Sequence, residues 1–204
     1  MIKQIFPTAR KLLVHRSLQQ LELPQKKRVL VVGAGSDPYR SLFGDPQLYV
    51  CLDVVRHEGV TALIGDAHKL PFSEESFDIV LASEVVEHLV DPRQFAAEAF
   101  RVLAPKGELI ITVPFMFHRH ADPYDYWRPT EDMLTQLLFN FSDITVNAQG
   151  NRIHTISDLI TTAFSPRPIL FPLRIINHLL ARLPSIPFFR KSTAPSGYLV
   201  IAKK

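Results

Sequence analysis

Apolar positions recur along this chain in two periods, and the alternation between them outlines the fold. Residues 8–21 (TARKLLVHRSLQQL) space their apolar side chains as one face of a helix, which Pro24 ends. RVLVVGAG then runs as an unbroken β-branched stretch, the pattern of a strand buried on both faces. YVCLDVV, VTALIG, FDIVLAS and GELIITVPF predict four further strands. Between the last two, DPRQFAAEAFRVLAPKG returns to helical spacing: Asp91 caps, Pro92 suits the first turn, and Pro105 with Gly107 closes it. PTEDMLTQLLF predicts another helix, FSDITVNAQG a strand, and GYLVIAKK a final strand. Strands alternating with helices imply a parallel sheet covered on both faces.

Residues 151–196 separate the last two strands and are rich in proline, arginine and apolar residues. They read as an insertion or cap, too short to be a domain. The expected organisation is one domain over 1–204, with residues 1–27 as an N-terminal helical extension. No internal repeat or low-complexity stretch interrupts it.

Charge adds an asymmetry to this outline. Lys and Arg outnumber acids by 7 to 1 in residues 1–28 and by 8 to 1 in residues 152–204, while residues 29–151 hold 8 against 18. An acidic body between basic ends is not the footprint of a domain that grips nucleic acid through its main face. The basic ends suit an anionic substrate or an anionic membrane surface, or are solvated helix faces. The single cysteine, Cys51, lies within a predicted strand and has no partner for an internal disulfide. The N-terminus lacks the apolar block of a signal peptide, and no window of eighteen apolar residues occurs, so a cytoplasmic protein is expected.

The candidate chemistry begins where the first strand ends in Gly33-Ala34-Gly35. Glycine accepts the positive φ of a tight strand-to-helix turn and lets a ligand approach the backbone. Asp37 and Pro38 are placed to cap and open a following helix. Asp53 lies eighteen residues beyond Gly35 at the end of the second predicted strand, where a carboxylate accepts the two hydroxyls of a ribose. A dinucleotide fingerprint would need a third glycine at Pro38, so a nicotinamide-dependent oxidoreductase is disfavoured.

VLVVGAGSDPYR, LDVV, GDAHKLPFSEESFDIVLASEVVEHL and FRVLAPKGELIITVPF, in that order, resemble the class I S-adenosylmethionine-dependent methyltransferases, in their small-molecule (type 11-like) branch. The resemblance covers residues 28–140 and the final strand. It implies a Rossmann-like α/β fold with a seven-stranded sheet, helices on both faces and the last strand antiparallel. It also implies S-adenosyl-L-methionine as cofactor. Gly33 and Gly35 would shape the turn under its methionine part, and Asp53 would hold the ribose with Val54 beside the adenine. Asp66 would accept the adenine amino group, Ala67 would offer its N–H to the ring, and Ser83 and Glu84 would border the methionine portion. Glu87 and His88 match an EH pair whose histidine reads more readily as a packing or hydrogen-bonding residue than as a chemical one. Two positions depart from the family: Val31 stands where an acid is usual, and Asp37 where a third glycine is usual. A non-catalytic methyltransferase-like binding or scaffold protein therefore remains the alternative.

HRHADPYDYWRPT, residues 118–130, follows the fifth predicted strand and so lies beside the expected methyl group. As a metal site it offers His118, His120, Asp122 and Asp125, but in no recognised spacing, and no metal is assigned. Thr130 is a natural helix cap, so Trp127 to Thr130 read as structural closure. His120 is the first substrate-side candidate because histidine titrates near neutrality, with His118 and Tyr124 beside it. Similar methyltransferases carry a YDY-[WF]-R-x-T stretch here, often in cell-surface glycan or lipid metabolism. The expected acceptor is a small molecule, a glycan or an amphiphilic lipid-like compound, methylated on O or N. Nucleic acid is not expected, since ASEVVEH holds no [DN]PP[YF] element and Cys51 is misplaced for cytosine chemistry. Residues 165–191 alternate apolar groups with Arg174, Arg182 and Arg190, which suits peripheral membrane contact. Oligomeric state is left open.

Overall fold

A computed structural model of the chain describes residues 8–120, 124–163, 179 and 194–204. Seven strands form one sheet in the order β3-β2-β1-β4-β5-β7-β6. They are β1 (Arg28–Val32), β2 (Leu48–Asp53), β3 (Ala62–Ile64), β4 (Phe77–Ser83), β5 (Leu103–Pro114), β6 (Ser142–Gln149) and β7 (Gly197–Lys203). Neighbours from β3 to β5 pair in parallel. β7 enters between β5 and β6 antiparallel to both, as the resemblance implied.

Alternation along the strands divides the core. Leu30, Val32, Val80, Ala82, Leu109 and Ile111 face one way, onto Phe95, Ala96, Ala99 and Val102 of helix α2 (Pro92–Val102) and Leu134 and Leu137 of α3 (Glu131–Leu137). Val29, Val31, Ile79, Leu81 and Ile110 face the other way, onto Val14 and Leu18 of α1 (Ala9–Gln19). The side chains of a strand alternate with period two, so one apolar run feeds both layers. Two N-caps fall where the pattern put them, although the helix after Asp91 ends at Val102, before Pro105 and Gly107, which lie in β5. Asp91 accepts the N–H groups of Arg93 and Gln94, and Thr130 accepts that of Met133.

The turn after β1 differs from expectation. Asp37 does not cap a helix; it sits at φ 47°, and only a single 3-10 turn, Arg40–Phe43, follows. Gly44 at φ 54° ends that turn, and Pro46 holds Asp45 out of helical conformation. The Tyr49 hydroxyl donates to the Asp37 carboxylate at 2.6 Å, which steadies the left-handed residue. Aspartate tolerates that region better than most side chains.

Helix α4 (Arg152–Ala163) opens the segment between β6 and β7. Most of the expected insertion, including the basic stretch 165–191 apart from residue 179, lies outside the described residues, as do residues 1–7 and Asp122. No helix among the described residues is long and apolar enough to cross a membrane.

α4 holds α1 through one carboxylate. Asp158, fully buried, accepts the N–H groups of Ala9 at 2.6 Å and Arg10 at 2.8 Å. Burial pushes its carboxyl up to about 6, against the pull of those two N–H groups. A carboxyl raised in the folded state favours folding most below its unfolded value near 3.8, and this contribution is lost as pH rises through about 6. Urea unfolding at pH 4 to 7 should therefore show the stability difference between the native chain and Asp158→Asn moving against the native chain as pH rises. A difference independent of pH would contradict this assignment.

Candidate active site

The sheet reverses its winding between β1 and β4, and the carboxyl ends of these strands leave a crevice there, as in other open α/β sheets. Gly33 and Gly35 line it at φ 64° and 53°. A Cβ on Gly33 would fall 2.4 Å from Cγ2 of Val85, so the approach of the β4 loop demands glycine. A Cβ on Gly35 would meet nothing within 4 Å, so this glycine is required by conformation. Asp53, only 7% exposed, ends β2 with Oδ2 accepting the Gly35 N–H at 2.8 Å and Oδ1 accepting that of Val55 at 3.1 Å. His57 Nε2 stands 3.3 Å from the same Oδ2.

The cleft holds about 420 Å³, a volume within the range of small-molecule sites. Of the eight residues expected around a cofactor, Gly33, Gly35, Asp53, Val54, Asp66, Ala67 and Glu84 line it. Ser83 is not among the lining residues; its hydroxyl is paired with Thr112 Oγ1 at 2.8 Å. Asp66 turns its carboxylate to His68, accepting the backbone N–H at 2.9 Å, and that bond foremost holds its carboxyl below the usual range.

Glu84 sits just past β4 at φ 56°. Arg10 of α1, 2% exposed, grips both its oxygens, with Nε to Oε2 at 3.0 Å. The same guanidinium donates to Gln149 Oε1 at the end of β6 at 2.6 Å, and Thr112 donates to Glu84 Oε1 at 3.0 Å. Sequence reasoning missed Arg10. Its only local signal is an arginine between buried Ala9 and Val14 on a helix face.

Beyond Glu84 the chain makes a 3-10 turn, Val86–His88, and the 118–130 loop docks on it. Tyr126 and Trp127 donate their N–H groups to the Glu87 carbonyl, and the Trp127 indole donates to the Leu89 carbonyl at 2.7 Å. Arg128 forks onto both oxygens of Asp125 and reaches the His118 carbonyl at 3.2 Å. Asp125 in turn accepts the His120 N–H at 2.8 Å. Asp125 thus belongs to the loop's frame together with Trp127 and Arg128.

The three substrate-side candidates part company here. Tyr124 is 60% exposed and lines the cleft, and its carbonyl pairs with His88 Nδ1. The His118 ring lies against Phe117, with centroids 4.3 Å apart. His120 meets His88 edge to face at 5.1 Å, and its Nε2 stands 3.8 Å from Glu87 Oε1. His120 therefore stands between Asp125 on its Nδ1 side and Glu87 with His88 on its Nε2 side. Glu87 is fully buried; burial first, and then the negative charge of Glu84, pushes its carboxyl well above the usual range.

Residues 43–111 match the methyltransferase domain family. A phthiotriol/phenolphthiotriol dimycocerosates methyltransferase of Mycobacterium tuberculosis is 31% identical over 167 residues, which is 72% of this chain and 59% of that protein. Phthiotriol/phenolphthiotriol dimycocerosates methyltransferase 1 of Mycobacterium ulcerans is 37% identical over 112 residues, 48% of this chain and 41% of that protein. The chain thus spans less than two thirds of the length of either relative. A SAM-dependent methyltransferase structure from Archaeoglobus fulgidus superposes with a TM-score of 0.63 at 20% identity, covering 100% of this chain and 98% of its own.

The crowding at Gly33 gives a direct test. Gly33→Ala combines a positive φ with a clash against Val85, each unfavourable on its own. Chemical denaturation should show a loss of roughly 1–3 kcal/mol. Gly35→Ala, strained but uncrowded, should lose less.

Proposed function

We propose that this member of the class I S-adenosylmethionine-dependent methyltransferases moves a methyl group from S-adenosyl-L-methionine to an O or N nucleophile on a small-molecule, glycan or lipid-like acceptor. The observation that carries the reading is the buried Asp53 carboxylate, fixed by the Gly35 N–H at the wall of a cleft of about 420 Å³. The names of the two mycobacterial relatives support an amphiphilic acceptor within that range.

The donor set suits the cofactor. Asp53 takes the ribose hydroxyls, Val54 and Ala67 border the adenine, and Asp66 accepts its amino group. Gly33 and Gly35 let the backbone come close to the methionine part. Glu84, anchored by Arg10, puts a carboxylate where the ammonium group belongs. Ser83 acts behind it, through Thr112. The bound cofactor supplies a methyl group activated on a positively charged sulfur. The chain's task is to align the acceptor with it and keep water out. Tyr124 at the rim contacts the acceptor, His118 supports the loop, and His120 takes the proton that the acceptor gives up. Residues 165–191 bring the protein to an anionic surface where the acceptor is amphiphilic.

Calorimetry should show binding of S-adenosylmethionine and none of NAD. Asp53→Ala should weaken the former at least tenfold, about 1.4 kcal/mol. NAD binding in its place sinks the reading, and tight cofactor binding without turnover on any acceptor would favour a scaffold.

His120 is tested separately, by release of S-adenosylhomocysteine across a panel of glycan and lipid acceptors. His120→Ala should lower turnover by roughly 10²–10⁴-fold with cofactor affinity retained. Full turnover in the variant would exclude a role in the proton transfer.

A further inference from the structure

Glu87 is out of place as a structural residue. Its side chain is 0% exposed, and among the described residues neither carboxylate oxygen accepts a hydrogen bond. A buried carboxylate is costly unless a cation or a set of donors meets it. What faces it is a pair of imidazoles: His88 Nε2 at 3.7 Å and His120 Nε2 at 3.8 Å, both from the same Oε1. These separations are too long for hydrogen bonds. One ligand atom from each of the three residues lies within 4.8 Å of the other two.

The far side of each ring explains what the near side offers. His88 Nδ1 pairs with the Tyr124 carbonyl, an acceptor, so the proton of the neutral ring sits on Nδ1 and the Nε2 lone pair turns inward. His120 Nδ1 stands 3.5 Å from Asp125 Oδ2, a carboxylate that Arg128 holds in place. Arg128, also 3.5 Å from that nitrogen, directs its shorter contacts to Asp125 and to the carbonyls of His118 and Trp127. Histidines that bind metals are oriented in this way, by a carbonyl or carboxylate behind the ring. The His88 lone pair and the Glu87 carboxyl thus meet His120 Nε2, which adds a second lone pair when the His120 proton sits on Nδ1, facing Asp125.

We propose that Glu87, His88 and His120 form a divalent-cation site for an imidazole-preferring metal of the zinc type, open toward the acceptor side of the cleft. Two histidines, one carboxylate and a free position make a common catalytic zinc set. Bonds of about 2.0–2.1 Å in a tetrahedral arrangement separate ligand atoms by roughly 3.3 Å, about half an ångström less than the two separations from Glu87 Oε1. His88 lines the cofactor cleft, so the cation stands beside the reacting groups. This deepens the methyltransferase reading and rests on it for its role in catalysis. An acceptor hydroxyl at the open position becomes more acidic and releases its proton to solvent. The oxygen's electron pair forms the O–CH₃ bond as the S–CH₃ bond breaks, and the sulfur keeps that bond's electrons. His120 then acts on the acceptor's proton through the cation, as its ligand.

The experiment takes the full chain, free of tags and stripped with chelator, and titrates it with Zn²⁺ by calorimetry and with Co²⁺ by visible absorption. The expected result is one equivalent bound. Affinity should fall at least about 100-fold in Glu87→Gln, His88→Ala and His120→Ala, beyond what losing an outer-shell partner costs. The exposed-position control His15→Ala should bind as the native chain does. Thermal unfolding checks that each variant is folded; if Glu87→Gln is not, the two half-buried histidines carry the test. No saturable binding by the native chain, or native affinity in the folded variants, overturns the site. One equivalent bound at these residues by a chain that neither binds nor uses S-adenosylmethionine keeps the site and sinks the methyltransferase reading. Methyl transfer undiminished in excess chelator overturns the cation's part in the reaction.

Discussion

The Arg10 guanidinium joins four separate parts of the chain at one point. It leaves α1, grips the Glu84 carboxylate beyond β4, and donates to Gln149 at the end of β6, while Thr112 of β5 meets it through Glu84. With 2% of its surface exposed, the charge is sustained only because its partners are in place; removing one would leave an unpaired buried ion. The main-chain N–H of the same residue is held by Asp158 from α4. The Glu84 side of the cleft therefore depends on α1 and, through Asp158, on α4. A fragment that began at β1 would keep the sheet's parallel half but lose the cation that holds Glu84.

Much of this fold was legible in the sequence, because its main signals are local. A β-branched run such as RVLVV, or Asp91 followed by Pro92, states its structure within a few residues. The turn after β1 was misread for an equally local reason, since Asp37-Pro38 is a good helix opening. The governing fact was instead a side-chain contact: Tyr49 holds Asp37 in the left-handed region. The candidate site divides in the same way. Gly33, Gly35 and Asp53 announce themselves by spacing from a strand end. Arg10 with Glu84, 74 residues apart, does not, because no periodicity records which side chains a sheet will bring together.

The departure at position 31 becomes intelligible against that network. Val31 is 2% exposed and packs among Val29, Ile79, Leu81 and the apolar face of α1. An acid there would lie under the helix with an uncompensated charge. Glu84, further along the neighbouring strand's exit, is where this chain carries a carboxylate, with Arg10 as counter-ion. Both features follow from α1 lying on this face of the sheet: it requires an apolar residue at 31 and supplies the guanidinium that lets an acid exist at 84.

Glu87 presents the same problem with a different outcome. Three residues past Glu84, it is buried more completely, and Glu84 is the like charge that adds to its burial in opposing ionisation. Arg10 and Arg128 both lie near enough to act on it, yet each is committed elsewhere, Arg10 to Glu84 and Arg128 to Asp125. A chain under selection for stability alone would gain by placing an apolar residue at such a position, since a buried carboxyl without hydrogen-bond partners is costly. The loop that covers Glu87 does the opposite. It places two N–H bonds from Tyr126 and Trp127 onto the Glu87 carbonyl, fixing its backbone, and brings the His120 ring to its carboxyl at a separation too long for a hydrogen bond. Backbone anchoring joined to an unsatisfied side chain is the arrangement of a residue held ready for a ligand, and Trp127 and Arg128 are the framework that holds it there.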